Sequence, residues 1–135
     1  MTADALRELL AATRTVAVVG LSPTAGRPSN GVARYLQQAG YRVVPVNPHH
    51  RVILGETSYP SLAAAAADHA IDVVDVFRRS EFVGPIVDEA IRIRPRLIWL
   101  QVGVVNEAAQ ERAQAAGIPC VMDRCLMVDH RALGV

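Results

Sequence analysis

The sequence predicts an α/β fold in one domain, residues 1–135: an open parallel five-stranded sheet with helices on both faces. Two observations carry this. Strand and helix signals alternate along the whole chain, the pattern that produces a parallel sheet with crossover helices. The first strand candidate, Val16 to Val19, is a short apolar run ending at Gly20, which suits a strand buried on both faces. At 135 residues and 51% hydrophobic, the chain has material for one domain around one sizeable core.

Each element follows from local chemistry. Residues 4–13 read as an amphipathic helix, with Leu6, Leu9 and Leu10 on one side. The strand at Val16–Val19 leads into a loop, Leu21 to Pro28, rich in Ser, Thr, Gly and Pro. A helix opens at Ser29 or Asn30, with Ser29 suited to cap it. Val32, Ala33, Leu36 and Ala39 give this helix an apolar face. Gly40 ends it as a C-terminal glycine does. Tyr41 to Val46 is the second strand, stopped by Asn47-Pro48, and Arg51 to Leu54 adds a short extended piece. Gly55 to Tyr59 reads as loop. Pro60-Ser61 then starts an alanine-rich helix, SLAAAAADHA. Ile71 to Phe77 is the third strand. Ser80 caps a helix that runs to about Ile93 and is stopped by Pro95. Arg96 to Val102 is the fourth strand. Asn106 caps NEAAQERAQAAG, which ends at Gly117, and Ile118 to Met122 is the fifth strand before a short terminal helix or loop.

Bulk properties narrow the function. The formal net charge of +1 gives no general attraction to nucleic acid or to an anionic membrane, so any anion recognition has to be local. No helix-turn-helix region is apparent, and no apolar run approaches the roughly 20 residues of a membrane span. The first residues, MTADALRELLAA, are interrupted by charges and do not resemble a signal peptide. With two cysteines only, Cys120 and Cys125, a reducing cytoplasm without a structural disulfide is the expectation. The histidines His49, His50, His69 and His130 show no metal-ligand spacing with the cysteines.

In an open parallel sheet, ligands bind at the carboxyl ends of the strands, near the switch point. That rule selects the loops after Val19, Val46, Phe77 and Val102. The first is distinctive. In Thr15–Asn30, TVAVVGLSPTAGRPSN, a strand, a polar loop and a helix start together make an anion site from free N–H groups and the helix dipole. Arg27 adds a planar cationic fork suited to phosphate. The ligand class is therefore a nucleotide or another phosphate-bearing molecule. GxGxxG fails, because Ser22 and Ala25 stand where glycines are required, and no GK[ST] is present. The second strand ends in Val46-Asn47-Pro48-His49-His50-Arg51. It has no carboxylate for a free ribose diol and is basic instead. A ribose phosphate fits better, which leaves coenzyme A, with its 3′-phosphate, and NADP, with its 2′-phosphate.

The segments GLSPTAGRPSNGVARYLQQAGYRVVPVNP, LGETSYPSL, IDVVDVFRRSE, IWLQVGVVNEAA and the closing DRC resemble the small CoA-binding proteins. These are single-domain relatives of the CoA-binding domain of the succinyl-CoA synthetase alpha subunit. The resemblance spans about residues 14–130. It implies a Rossmann-like fold and coenzyme A as ligand. It does not imply ligase activity, because the synthetase's second domain and partner subunit are missing.

The resemblance places Gly20, Ser22, Arg27, Ser29 and Asn30 in the first phosphate loop. Ser22 and the helix-start N–H groups would contact phosphate, with Arg27 as charge partner. Val46, Asn47 and Pro48 would line the adenine and ribose side, and His50 or Arg51 the 3′-phosphate. At the third strand's end, Phe77 can cover adenine or the pantetheine arm while Arg78 reaches the pyrophosphate. Gln101, Val102 and Gly103 end the fourth strand, where glycine permits close backbone approach. Trp99, in mid-strand, reads as core. Asp72 marks a strand entrance and Asp75 is expected to hydrogen-bond near the sheet. No nucleophile, base and orienter set emerges, so catalytic residues are none. The resulting expectation is a non-catalytic CoA or acyl-CoA module acting as carrier, sensor or subunit. An NADP-linked or acyl-CoA-handling enzyme using Asp75 or Cys125 is one alternative, and a nucleotide-sensing interaction module is another. A homodimer through the N-terminal helix or C-terminal segment is compatible with either.

Overall fold

The computed structural model describes all 135 residues. A five-stranded parallel sheet runs in the order β2-β1-β5-β6-β7, with β1 Thr15–Val19, β2 Arg42–Val46, β5 Val73–Val76, β6 Leu97–Leu100 and β7 Cys120–Val121. The helices are α1 Ala3–Ala12, α2 Pro28–Gln38, α3 Leu62–Asp68, α4 Val83–Ile93, α5 Glu107–Ala115 and α6 Leu126–Leu133. The fold is the parallel α/β arrangement that alternation predicts, and it is Rossmann-like, as the resemblance implies. After β2 the chain crosses β1 to pair β5 on its other side, so the switch point lies between the ends of β1 and β5.

Alternation along the strands divides the core into two layers. Ala17, Val19, Val44, Val74, Val76, Ile98 and Leu100 face α3, α4 and α5. Val16, Val18, Val43, Val73, Leu97 and Trp99 face α1, α2 and α6. Trp99 is fully buried, as its mid-strand place predicts, and its Nε1–H donates to the Arg124 carbonyl at 2.8 Å. Asp72 does mark a strand entrance: its Oδ2 accepts from the N–H groups of Arg14 and Thr15 at 2.9 and 3.0 Å.

Four local expectations need correction. The third to fifth strands are shorter than their apolar runs, since Phe77 and Gln101 make only single outgoing bonds to the neighbouring strand, Phe77 N–H to Val19 and Gln101 N–H to Val76. Residues 51–59 contain a hairpin, β3 Val52–Ile53 with β4 Glu56–Thr57, turned by Leu54 and Gly55 at φ of 54° and 75°. Ser29 does not cap α2. Pro28 takes the first helical turn, Arg27 becomes the cap residue, and Ser29 Oγ accepts from Ser22 N–H at 2.9 Å. Nor does Ser80 cap α4. It opens a short 3₁₀ turn, Ser80–Phe82, and its Oγ accepts from Val105 N–H at 2.9 Å while donating to the Gly103 carbonyl at 3.2 Å.

A buried polar knot ties α6 to α2 and to the start of β2. Tyr41 O–H donates to the Leu10 carbonyl at 2.7 Å. Its oxygen is therefore the acceptor for His130 Nε2–H at 3.1 Å, which leaves Nδ1 bare to accept Tyr35 O–H at 2.6 Å. Acceptance at Nδ1 requires a neutral imidazole, and burial holds the His130 pKa below its ordinary 6.5. The native state thus binds fewer protons here than the unfolded chain. The knot's contribution is complete above pH 6.5 and is lost as pH falls toward the native value. The melting-temperature difference between wild type and His130→Phe is expected to shrink from pH 7 to pH 5. A constant difference would show that the imidazole is not held neutral.

Candidate functional site

Two adjoining cavities open at the carboxyl ends of the strands. The larger, about 950 Å³, lies over the ends of β1, β5 and β6. The smaller, about 490 Å³, lies over β1, β2 and the start of α3. They share Gly20, Phe77 and Arg78, which stand at the switch point. An apolar side chain and a guanidinium therefore separate, and also join, the two halves of one cleft. All four loops selected by the strand-end rule reach it.

Gly20 sets the geometry. Its φ is +81°, in the region that favours glycine, and a Cβ there would collide with the Phe77 carbonyl oxygen. The bare backbone lets the ends of β1 and β5 stay close together. The loop after it is braced by the first turn of α2. Ser22 N–H donates to Ser29, and the Ser22 carbonyl accepts from Asn30 Nδ2 at 2.9 Å. Asn47 Nδ2 reaches the Leu21 carbonyl at 3.0 Å, and Asn47 Oδ1 accepts from His49 N–H at 2.9 Å. These amides hold the loops to one another and are largely spent in doing so.

Gly20, Ser22, Arg27, Ser29, Phe77, Arg78, Gln101 and Gly103 line the larger cavity, while Val46, Asn47 and Pro48 line the smaller with Gly20, Phe77 and Arg78. Asn30 lies buried beneath the loop and lines neither cavity. His50 and Arg51 also fall outside both walls, and His49 faces the smaller cavity in their place. The asparagine turn at Asn47, which orients His49, was the available signal. Sequence reasoning also missed Arg34, on α2, whose place is legible only as one helical turn beyond Gly31. Cys125 and Met127, at the start of α6, complete the larger cavity.

The electrostatics of the larger cavity are one-sided. Arg27, Arg34, Arg78 and Arg79 line it, and no Asp or Glu does. Only Arg79 makes an ion pair, an exposed one to Glu81 at 3.9 Å. Arg78 lies over the Phe82 ring, 5.4 Å from its centroid, a cation–π contact that aims it along the cleft. At the start of α2 no side chain caps the backbone, Pro28 has no N–H, and the helical ladder begins with Gly31 N–H to the Arg27 carbonyl. The N–H groups of Ser29 and Asn30 thus precede the ladder at the positive end of the helix. Guanidinium forks and a helix start on one wall bind phosphate oxygens.

The Asp75 carboxyl stands apart from this chemistry. It is fully buried in mid-sheet between Val18 and Trp99, and neither oxygen has a hydrogen-bond partner, contrary to the expectation from sequence. Burial disfavours the ionised form and raises its pKa well above 3.8. No group of three or more His, Cys, Asp or Glu converges as metal ligands would, and no helix is long and apolar enough to cross a membrane.

Residues 14–131 match the model of the CoA binding domain. The uncharacterized protein YneT of Bacillus subtilis (strain 168) is 38% identical over 125 residues, covering 93% of this chain and 91% of that protein. A solved structure from Thermus thermophilus is 38% identical with a TM-score of 0.93, covering 98% of this chain and 99% of that one. A hypothetical protein from Pyrococcus horikoshii OT3 is 35% identical with a TM-score of 0.94, covering 100% of this chain and 94% of that one. The chain belongs to the CoA binding domain family.

Proposed function

We propose that this member of the CoA binding domain family binds coenzyme A, free or acylated, as a stand-alone non-catalytic module: a carrier, a sensor or a subunit of a larger acyl-CoA system. The observation that carries this reading is the cavity with four arginines and no carboxylate, in a chain whose net charge is only +1. A ligand with several phosphates is what such a wall favours. The adenosine end occupies the smaller cavity beside Asn47, Pro48 and His49, with His50 and Arg51 near the 3′-phosphate. The pyrophosphate crosses Gly20 and Arg78 toward the start of α2. The pantetheine arm runs into the larger cavity past Phe77 and Gln101. Nothing in this arrangement asks for a catalytic residue, and a cytoplasmic setting suits the ligand.

A thermal-shift titration with CoA, dephospho-CoA, NADP, NAD and ATP tests this. Ligand at ~100 times its Kd adds ~2.7 kcal/mol, a rise of several degrees for a domain of this size. CoA is expected to stabilise most and dephospho-CoA much less. Stabilisation by NADP alone would replace the CoA reading with a reductase. Arg78→Ala removes a charge-assisted phosphate contact worth roughly 1.5–3 kcal/mol, so CoA affinity should fall about 10- to 100-fold. Unchanged affinity in calorimetry would remove Arg78 from the site.

A further inference from the structure

The end of the larger cavity farthest in sequence from the adenosine loops has a chemistry that phosphate binding does not use. Cys125 lies there, half-buried, as the residue that precedes the first turn of α6. Beside it in the wall is Gln101, 4% exposed. Gln101 Oε1 accepts from Leu126 N–H at 3.0 Å, which fixes the amide plane against the start of α6. Its Nε2 has no partner in the protein. The residue is buried but its Nε2 is not sealed in, so in the cavity wall beside Cys125 it offers its donors to a ligand. Met127 and Val104 supply apolar, sulfur-tolerant surface on the same wall.

On the reading that coenzyme A occupies the cleft, we propose that the Gln101–Cys125 end receives the terminal amide and thiol of the pantetheine arm. Cys125 there captures coenzyme A as a reversible mixed disulfide. Gln101 Nε2 donates to the carbonyl of the last pantetheine amide and so sets the ligand sulfur beside Sγ of Cys125. The reaction is thiol–disulfide exchange with the symmetrical disulfide of coenzyme A. The Cys125 thiolate attacks one sulfur, the bond between the two CoA sulfurs breaks, and a new bond joins Sγ to the attacked sulfur. The other CoA leaves as a thiolate and takes up a proton, so one cysteine is oxidised and one CoA equivalent is reduced. The arginines of the cavity gather this polyanionic disulfide and bring it to the thiol faster than an uncharged disulfide. The chain would thereby hold CoA covalently under oxidising conditions and release it when thiols recover. Cys120 takes no part: it is buried in β7, and burial pushes its thiol up to about 11.

The test is intact-mass spectrometry of the reduced, full-length protein mixed with CoA disulfide or, separately, with 2-hydroxyethyl disulfide. The expected result is one adduct with the mass of CoA less two hydrogens, at Cys125 by peptide mapping, removed by dithiothreitol and formed at least tenfold faster than the hydroxyethyl adduct. Cys125→Ser should give no adduct with either disulfide, and Cys120→Ala should react as wild type does. Gln101→Leu should slow the CoA reaction several-fold more than it changes the hydroxyethyl reaction. Equal rates with the two disulfides would reduce Cys125 to an accessible thiol and overturn the proposal. CoA binding without any adduct would overturn the capture and leave the binding reading intact. Absence of CoA binding to wild type would overturn both.

Discussion

Gly20→Ala is expected to lower the melting temperature by about 10 °C and to abolish CoA binding. Two costs combine. Alanine at a φ of +81° carries a left-handed penalty of about 1–2 kcal/mol, and its methyl would have to displace a backbone carbonyl, an overpacking cost of roughly 1–3 kcal/mol. The sum of about 3 kcal/mol corresponds to about 10 °C for a domain of this length. The loss of binding has a separate origin. The Cβ strikes the Phe77 carbonyl, so relief requires the ends of β1 and β5 to separate at the point where the two cavities meet. Phe77 and Arg78 would move with that strand end. Differential scanning calorimetry with a CoA titration checks both parts. A variant that melts like wild type would show that the strand ends are not held this close. A destabilised variant that binds CoA normally would place the ligand elsewhere.

The second large effect concerns Asp75. Burial raises the pKa of its native carboxyl, which has no hydrogen-bond partner, well above the 3.8 of the unfolded chain. The native state therefore binds the extra proton. Stability attributable to the group is greatest below the unfolded value and is lost as pH rises toward the raised native one. Over that window the loss is about 1.4 kcal/mol for each pH unit. Asp75→Asn keeps the shape of the neutral acid and removes the titration. The advantage of the variant over wild type should grow as pH rises above 3.8, by about 4 °C per unit in melting temperature, until the raised native value is reached. Any fixed cost of burying the added amide shifts the whole difference without changing its slope. Parallel melting curves would mean that Asp75 is ionised in the native protein.

The alternation of strands and helices was legible because each strand is a run of apolar residues between polar or glycine punctuation. Asn106 was legible as a cap and Pro60-Ser61 as a helix start, and Asn106 and Ser61 each accept from the N–H three residues on, at 3.0 and 3.1 Å. Ser29 was misread because two rules competed for one helix start. The preference of proline for the first helical position won, and the serine was freed to hold a loop. The roles of Ser80 and His130 depend on partners 25 and 95 residues away, which no local pattern encodes. The strand-end rule named the loops of the cleft correctly. Within them, local pattern could not tell the amides that brace loops from the guanidinium groups that face outward. Asp75 looked like an ordinary strand polar residue because its lack of a partner is a property of the layer above it, where Asn30 Oδ1 is unpaired as well.

The bracing of the rim bears on how fast a ligand can arrive. Loops after β1 and β2 are joined through Asn47, and those after β5, β6 and β7 through Ser80 and Asp123, whose Oδ1 accepts from Gly103 N–H at 2.7 Å. A rim tied in this way is already in the form that a ligand meets. Little chain entropy remains to be lost on contact, and no lid has to fold down before the complex forms. Association is then governed by encounter in the field of the arginines and slows as salt screens them, whereas residence time reports the contacts made once inside.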